Sequence, residues 1–130
     1  MKYLADSDVL INHIRGKKYL DPVIITEGLG MSIISLGELF SGAYKSSNTE
    51  KSLKEIDQIF SLGVTVENLS HEIMNTYAKT RIELEKSGKK LDEFDLLIGA
   101  TAIVNGLILI TGNIKHFKRI KGLKIETNES

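Results

Sequence analysis

The chain has 130 residues, 42% apolar and 26% charged, with zero net charge and no cysteine. That is the length and balance of one ordinary globular domain with enough apolar residues for a real core. It excludes disulfides, thiolate metal sites and cysteine nucleophiles, and it offers no overall positive charge to draw in a polyanion, so a nucleic-acid partner would have to be met by a local patch.

An acid appears within six residues of the first methionine, with no apolar h-region before it, so no secretory signal is expected. The longest apolar stretch, Leu96–Ile110, is broken by Asn105-Gly106 and is shorter than the roughly 20 residues a membrane span needs. Together with the absence of cysteine, this predicts a cytoplasmic protein without a membrane partner. The single proline and the lack of repeats or low-complexity tracts leave no linker, so residues 1–130 are expected to form a single domain.

Lys2–Ala5 reads as a first strand, and Ser7–Arg15 as a helix with Val9, Leu10, His13 and Ile14 at helical spacing. Asp21-Pro22 is an N-cap followed by proline at the first helical position, opening a short helix that ends at Gly28 and Gly30. Met31–Ser35 is the expected second strand, with a helix over Leu36–Ser46 after it. Thr49–Leu62 is amphipathic through Leu53, Ile56, Ile59 and Phe60, and Gly63 stops it before a third strand, Val64–Leu69. Ser70 caps a long helix to about Lys86. Gly88-Lys89-Lys90 is a loop, and a very apolar helix runs from about Asp92 to Asn105. Leu107–Thr111 is a fourth strand, a short basic turn follows, and Leu123–Thr127 is a candidate edge strand. Strands alternating with helices, two of them apolar throughout, predict an α/β sandwich: a mainly parallel sheet of four or five strands covered on both faces.

Such sheets present functional groups beyond the carboxyl ends of their strands. Asp6 follows the first strand, Glu38 lies just past the second, and Asn113 follows the fourth. Asp95 joins them if its helix starts at the same edge. Crowded carboxylates raise one another's pKa, and a hard divalent cation relieves that, taking oxygen ligands while activating water against a phosphodiester. Each acid also has a plainer reading. Ser35-Leu-Gly-Glu38 fits a capping box, Asp92-Glu-Phe-Asp95 a looser one, and Asp8 a helix-dipole partner. His13 is expected at the core boundary and His71 in solvent. Lys115, His116, Lys118 and Arg119 belong to a basic run that is either a solvated face or a guide for phosphates.

In combination, YLADSDVLI, ISLGELFSGA and FDLLIGATAIVNGLILITGNIKHFKRIKGL resemble the PIN domain family, and within it the small VapC-type ribonuclease toxins, over nearly the whole chain. The resemblance implies a PIN-like fold and an endoribonuclease in which Asp6, Glu38 and Asp95 hold Mg²⁺ or Mn²⁺, with Asn113 at the strand end and water as nucleophile. It also implies an RNA substrate, a homodimer, and a small antitoxin whose tail blocks the site. Asp8 falls on the second polar position of the opening motif and is expected to orient Asp6 or to bind the pocket's water. At one position the chain departs: where many relatives carry a fourth acid it has His116, so one metal or two stays open. Two rivals remain. One is a phosphatase of the haloacid-dehalogenase type using Asp6 as nucleophile, although Val9 and Leu10 replace its usual glycine and threonine. The other is a binding module whose acids are only caps.

Overall fold

The apolar runs become the strands of one sheet. In the computed structural model, which describes residues 1–128, these are β1 (Tyr3–Ala5), β2 (Leu29–Ser32), β3 (Thr65–Glu67), β4 (Ile108–Ile110) and β5 (Ile125–Glu126). Their order is β3-β2-β1-β4-β5, and every pairing is parallel, so the expected sheet is realised with five strands.

Alternation along the strands sorts the core into two. Tyr3, Ala5 and Ile110 face one side, where they meet Val9 and Leu10 of α1 (Ser7–Ile14), Ile24 of α2 (Pro22–Glu27), Leu39 and Ala43 of α3 (Ile33–Lys45), and Ile56 and Ile59 of α4 (Thr49–Phe60). Leu4 and Leu109 face the other side, against Leu84 of α5 (His71–Lys86) and Leu96, Ile98 and Ala102 of α6 (Glu93–Val104). Both faces of β1 and β4 are therefore dry, which is why these strands lack the polar alternation of a half-exposed sheet. Among the described residues no helix is long and apolar enough to cross a membrane.

Several boundaries follow the expected chemistry. Asp21 accepts from Val23 N at 3.0 Å with Pro22 in the first turn, and Ser70 accepts from Ile73 N at 3.1 Å. Gly28 ends α2 at φ +106°, and a Cβ there would lie 2.8 Å from Met1 Cα, so both backbone and space require glycine.

Two expectations are corrected. The second strand does not run from Met31 to Ser35: it begins at Leu29, so that Gly30 lies in the strand and not at the end of α2, and it stops at Ser32, whose Oγ accepts from Ile34 N at 3.0 Å and starts α3 at once. Ile33 and Ile34 look like strand because they are β-branched, but the cap decides. Glu38 consequently sits six residues beyond the cap and has no capping box to close. The basic turn after β4 is a single helical turn, α7 (Ile114–Phe117), pinned by the fully buried Phe117.

In this strand order the direction of crossing reverses at β1, opening a crevice beyond the carboxyl ends of β1 and β4.

Candidate active site

Asp6 is the first residue past β1, at that crevice. It caps α1, with Ser7 N donating to Oδ1 at 2.9 Å, and its own N–H donates to Ile110 O at 2.9 Å, continuing the β1–β4 ladder. Oδ2 accepts from Thr111 Oγ1 at 3.0 Å. The same Thr111 oxygen accepts from Asn113 N at 3.0 Å. One fully buried hydroxyl thus fixes both the carboxylate and the turn that leaves β4. Thr111, not Asp8, orients Asp6; a second carboxylate could only repel it. Asp8 is exposed, and its charge raises the pKa of Asp6 together with the larger effect of burial.

Glu38 enters from the second turn of α3 and is half-buried. Its Oε1 is shut from solvent and has no hydrogen-bond partner, and neither has the buried Oγ of Ser35, three residues earlier on the same helix face. Burial first, then Asp6, Asp95, Asp8 and Asp92, push the Glu38 carboxyl up to about 7 from an ordinary 4.5. A capping glutamate would show a bonded carboxylate and a pKa held down.

Asp95 lies in the first turn of α6. Asp92 is the cap, accepting from Phe94 N at 3.1 Å. The half-buried Asp95 is raised by burial, Asp6 and Asp92, and the nearby His116 opposes this. Asp6, Glu38 and Asp95 therefore meet in one electrostatic environment, and α6 does begin at the edge where β1 ends. Among the described residues no three acidic or imidazole groups are drawn into a group that could close on an ion. The donor set still fits a hard cation: three carboxylates, each with its charged form disfavoured, and a buried oxygen without a partner.

Other predicted residues are placed around this pocket. Asn113 is exposed and turns its amide to His116 Nδ1 at 2.9 Å rather than to the acids. Lys115 and Lys118 are exposed and Arg119 half-buried on and after α7, outside the acidic pocket; of this run only His116 acts on Asp95. His13 sits at the core boundary as expected, its Nδ1 accepting from Leu20 N at 2.9 Å, and His71 is exposed. From Asp8 and Glu38 the pocket continues as a groove of about 360 Å³ between α1, α3 and α4, in which Arg15 pairs with Glu55 at 2.9 and 3.1 Å. Thr111 and Ser35 are the site residues that sequence reasoning missed. A threonine closing the strand next to Asp6 was the available signal for the first, but its meaning depends on the β1–β4 pairing.

The sequence and the fold both have known relatives. A family model described as PIN domain matches residues 3–123. The chain is similar to Ribonuclease VapC2 of Rickettsia felis, 37% identical with 97% of each protein covered. It is also similar to Ribonuclease VapC1 of Methanocaldococcus jannaschii, 33% identical with 95% of this chain and 86% of that protein covered. Its fold superposes on a chain of the crystal structure of VapBC2 from Rickettsia felis, bound to a DNA fragment from its promoter, with a TM-score of 0.89, 29% identity and 98% of both chains covered.

Proposed function

The chain belongs to the PIN domain family, and from that premise we propose that it is a ribonuclease, the toxin of a toxin–antitoxin pair, hydrolysing RNA phosphodiester bonds in a pocket formed by Asp6, Glu38 and Asp95. The observation that carries the assignment of the site is the partnerless, buried Oε1 of Glu38, in the field of two further carboxylates whose pKa values rise together with its own. A protein does not retain such an arrangement for stability; an ion or a reacting group gains from it.

Asp6, Glu38 and Asp95 would hold Mg²⁺ or Mn²⁺. When bound, the cation supplies a water activated as nucleophile and charge neutralisation at the phosphodiester. The chain's own residues do the rest. Thr111 and the Ser7 N–H hold Asp6 in one orientation, one donor on each carboxylate oxygen. Glu38 would present its buried Oε1, which has no partner in the protein, to the cation. His116, braced at Nδ1 by the Asn113 amide, would offer its other ring nitrogen to a phosphate oxygen of the substrate. Asp8 enlarges the negative field that attracts a cation.

The relatives described above are named ribonucleases, and a similar chain belongs to a toxin–antitoxin complex from Klebsiella pneumoniae, which supports a cognate antitoxin as the inhibiting partner; a cytoplasmic place of action is proposed on the family resemblance. The groove between α1, α3 and α4 opens directly onto Glu38, so a peptide lying there would reach the acids. A homodimer is proposed on the family resemblance. The second reading, a module whose acids are caps, is disfavoured because Glu38 caps nothing and Asp95 is not the cap of α6. The experiment is cleavage of total RNA by wild type and by identically purified Asp95→Asn, in Mg²⁺, Mn²⁺ and EDTA. Discrete products that need the metal and vanish in the variant are expected; equal cutting by both proteins refutes the site.

A further inference from the structure

The loop after α5 and the turn of α7 are 25 residues apart in sequence, yet they form the walls of one groove. Gly88, Lys89 and Lys90 line one side, and Lys115, Lys118 and Arg119 the other, around about 630 Å³ open to solvent. Arg119 Nη1 donates to Lys90 O at 3.3 Å, which ties the loop to the segment after α7. Gly88, at φ +71°, reverses the chain so that both following lysines stand on the groove. None of the five cations meets an acid at ion-pair distance among the described residues, although acids and bases are equal in number over the chain. Five uncompensated charges on a chain of zero net charge form a local field of one sign.

The α7 wall of this groove is tied to the acidic pocket by the turn that leaves β4. Lys115 on α7 and Lys118 just after it flank His116, and α7 follows the turn whose Asn113 N–H is bonded to the Thr111 hydroxyl that holds Asp6. We infer that Lys89, Lys90, Lys115, Lys118 and Arg119 form a phosphate-binding track that carries the single-stranded RNA backbone away from the cleavage site. Lys89 and Lys90 are the new members, since their sequence context marks only a loop. The groove is lined by flexible ammonium groups and one guanidinium without an aromatic side chain, so it grips phosphates and does not read bases. The inference rests on the ribonuclease reading for its substrate, but binding and cleavage can be measured apart.

The test is binding of a fluorescein-labelled, mixed-sequence 12-nucleotide RNA to the full chain in EDTA, titrated between 50 and 200 mM salt. The comparison is wild type, the double variant Lys89→Glu/Lys90→Glu, and the charge-matched control Lys45→Glu/Lys51→Glu on the other face of the sheet. The loop variant is expected to bind at least tenfold more weakly at low salt. Its log–log salt slope should be shallower by about 1.4, about 0.7 for each single-strand phosphate no longer neutralised. The control should keep a slope close to wild type. Wild-type affinity and slope in the loop variant overturn the track, as does an equal weakening in the control or stronger competition by duplex DNA of the same length. If RNA binds with the expected slopes but is never cut when metal is added, the ribonuclease reading fails while the track stands.

Discussion

Replacing Glu38 by glutamine should make the metal-free protein more stable. The folded chain holds the Glu38 carboxyl at about 7, against 4.5 when free, so between these pH values the folded state binds more protons than the unfolded one. Stability then falls as pH rises through that window, and the full cost is reached above pH 7. At full strength the gap is worth about 3 kcal/mol; the side chain is only half-buried, and solvent screening reduces this to about 1–2 kcal/mol. Glutamine has nearly the same shape and no charge to bury. Glu38→Gln should therefore match wild type near pH 4.5 and exceed it at pH 8 by about 4–7 °C in Tm for a chain of this length. The assay is thermal unfolding in EDTA at both pH values. Adding Mn²⁺ at pH 8 should reverse the order, because a bound ion stabilises the wild type by mass action and the variant has lost a ligand. A variant less stable than wild type at pH 8 in EDTA, or a difference that does not change with pH, refutes the reasoning.

Asp6→Asn and Asp95→Asn should each lower RNA cleavage at least a hundredfold while circular dichroism and Tm stay native or improve; a variant that cuts normally removes its residue from the site. Thr111→Val takes away the hydroxyl between Asp6 and Asn113, and should cost about 1 kcal/mol in urea unfolding. It should also weaken Mn²⁺ affinity by about 10–100-fold in calorimetric titration, whereas Thr111→Ser should restore most of both. Gly99→Ala should destabilise by about 1–2 kcal/mol without touching the acids. The added methyl would lie 2.7 Å from Ile120 Cδ1 where α6 packs on the segment after α7, and equal stability would show that Ile120 moves freely.

What was legible in the sequence was local. The apolar run ending at Asp6, the Asp21-Pro22 start and the Ser70 cap each act within a few residues, and each stands where its chemistry puts it. The parallel sheet was legible because β1 and β4 carry apolar residues on both faces. The start of α3 was not, since Ile33 and Ile34 favour a strand by shape while the Ser32 hydroxyl settles the matter by one hydrogen bond. That single boundary decides whether Glu38 reads as a cap or as a member of the pocket. Thr111 could not be assigned either, because its partner is 105 residues away and comes within reach only when β4 pairs with β1. Asp8 was expected, from its place in the opening motif, to orient Asp6 or to bind the pocket's water; the orienting hydrogen bond comes from Thr111 instead.

The central claim is that these acids direct hydrolysis by water, and the atoms of the product test it. A defined oligoribonucleotide is cut in H₂¹⁸O with Mg²⁺, alongside EDTA and Asp95→Asn controls, and the product ends are weighed by mass spectrometry. The account predicts a terminal phosphate monoester carrying one ¹⁸O, with no product in either control. A 2′,3′-cyclic phosphate without ¹⁸O, formed equally in EDTA, would mean that the RNA's own 2′-hydroxyl attacked and that the acidic pocket is not the site of the reaction.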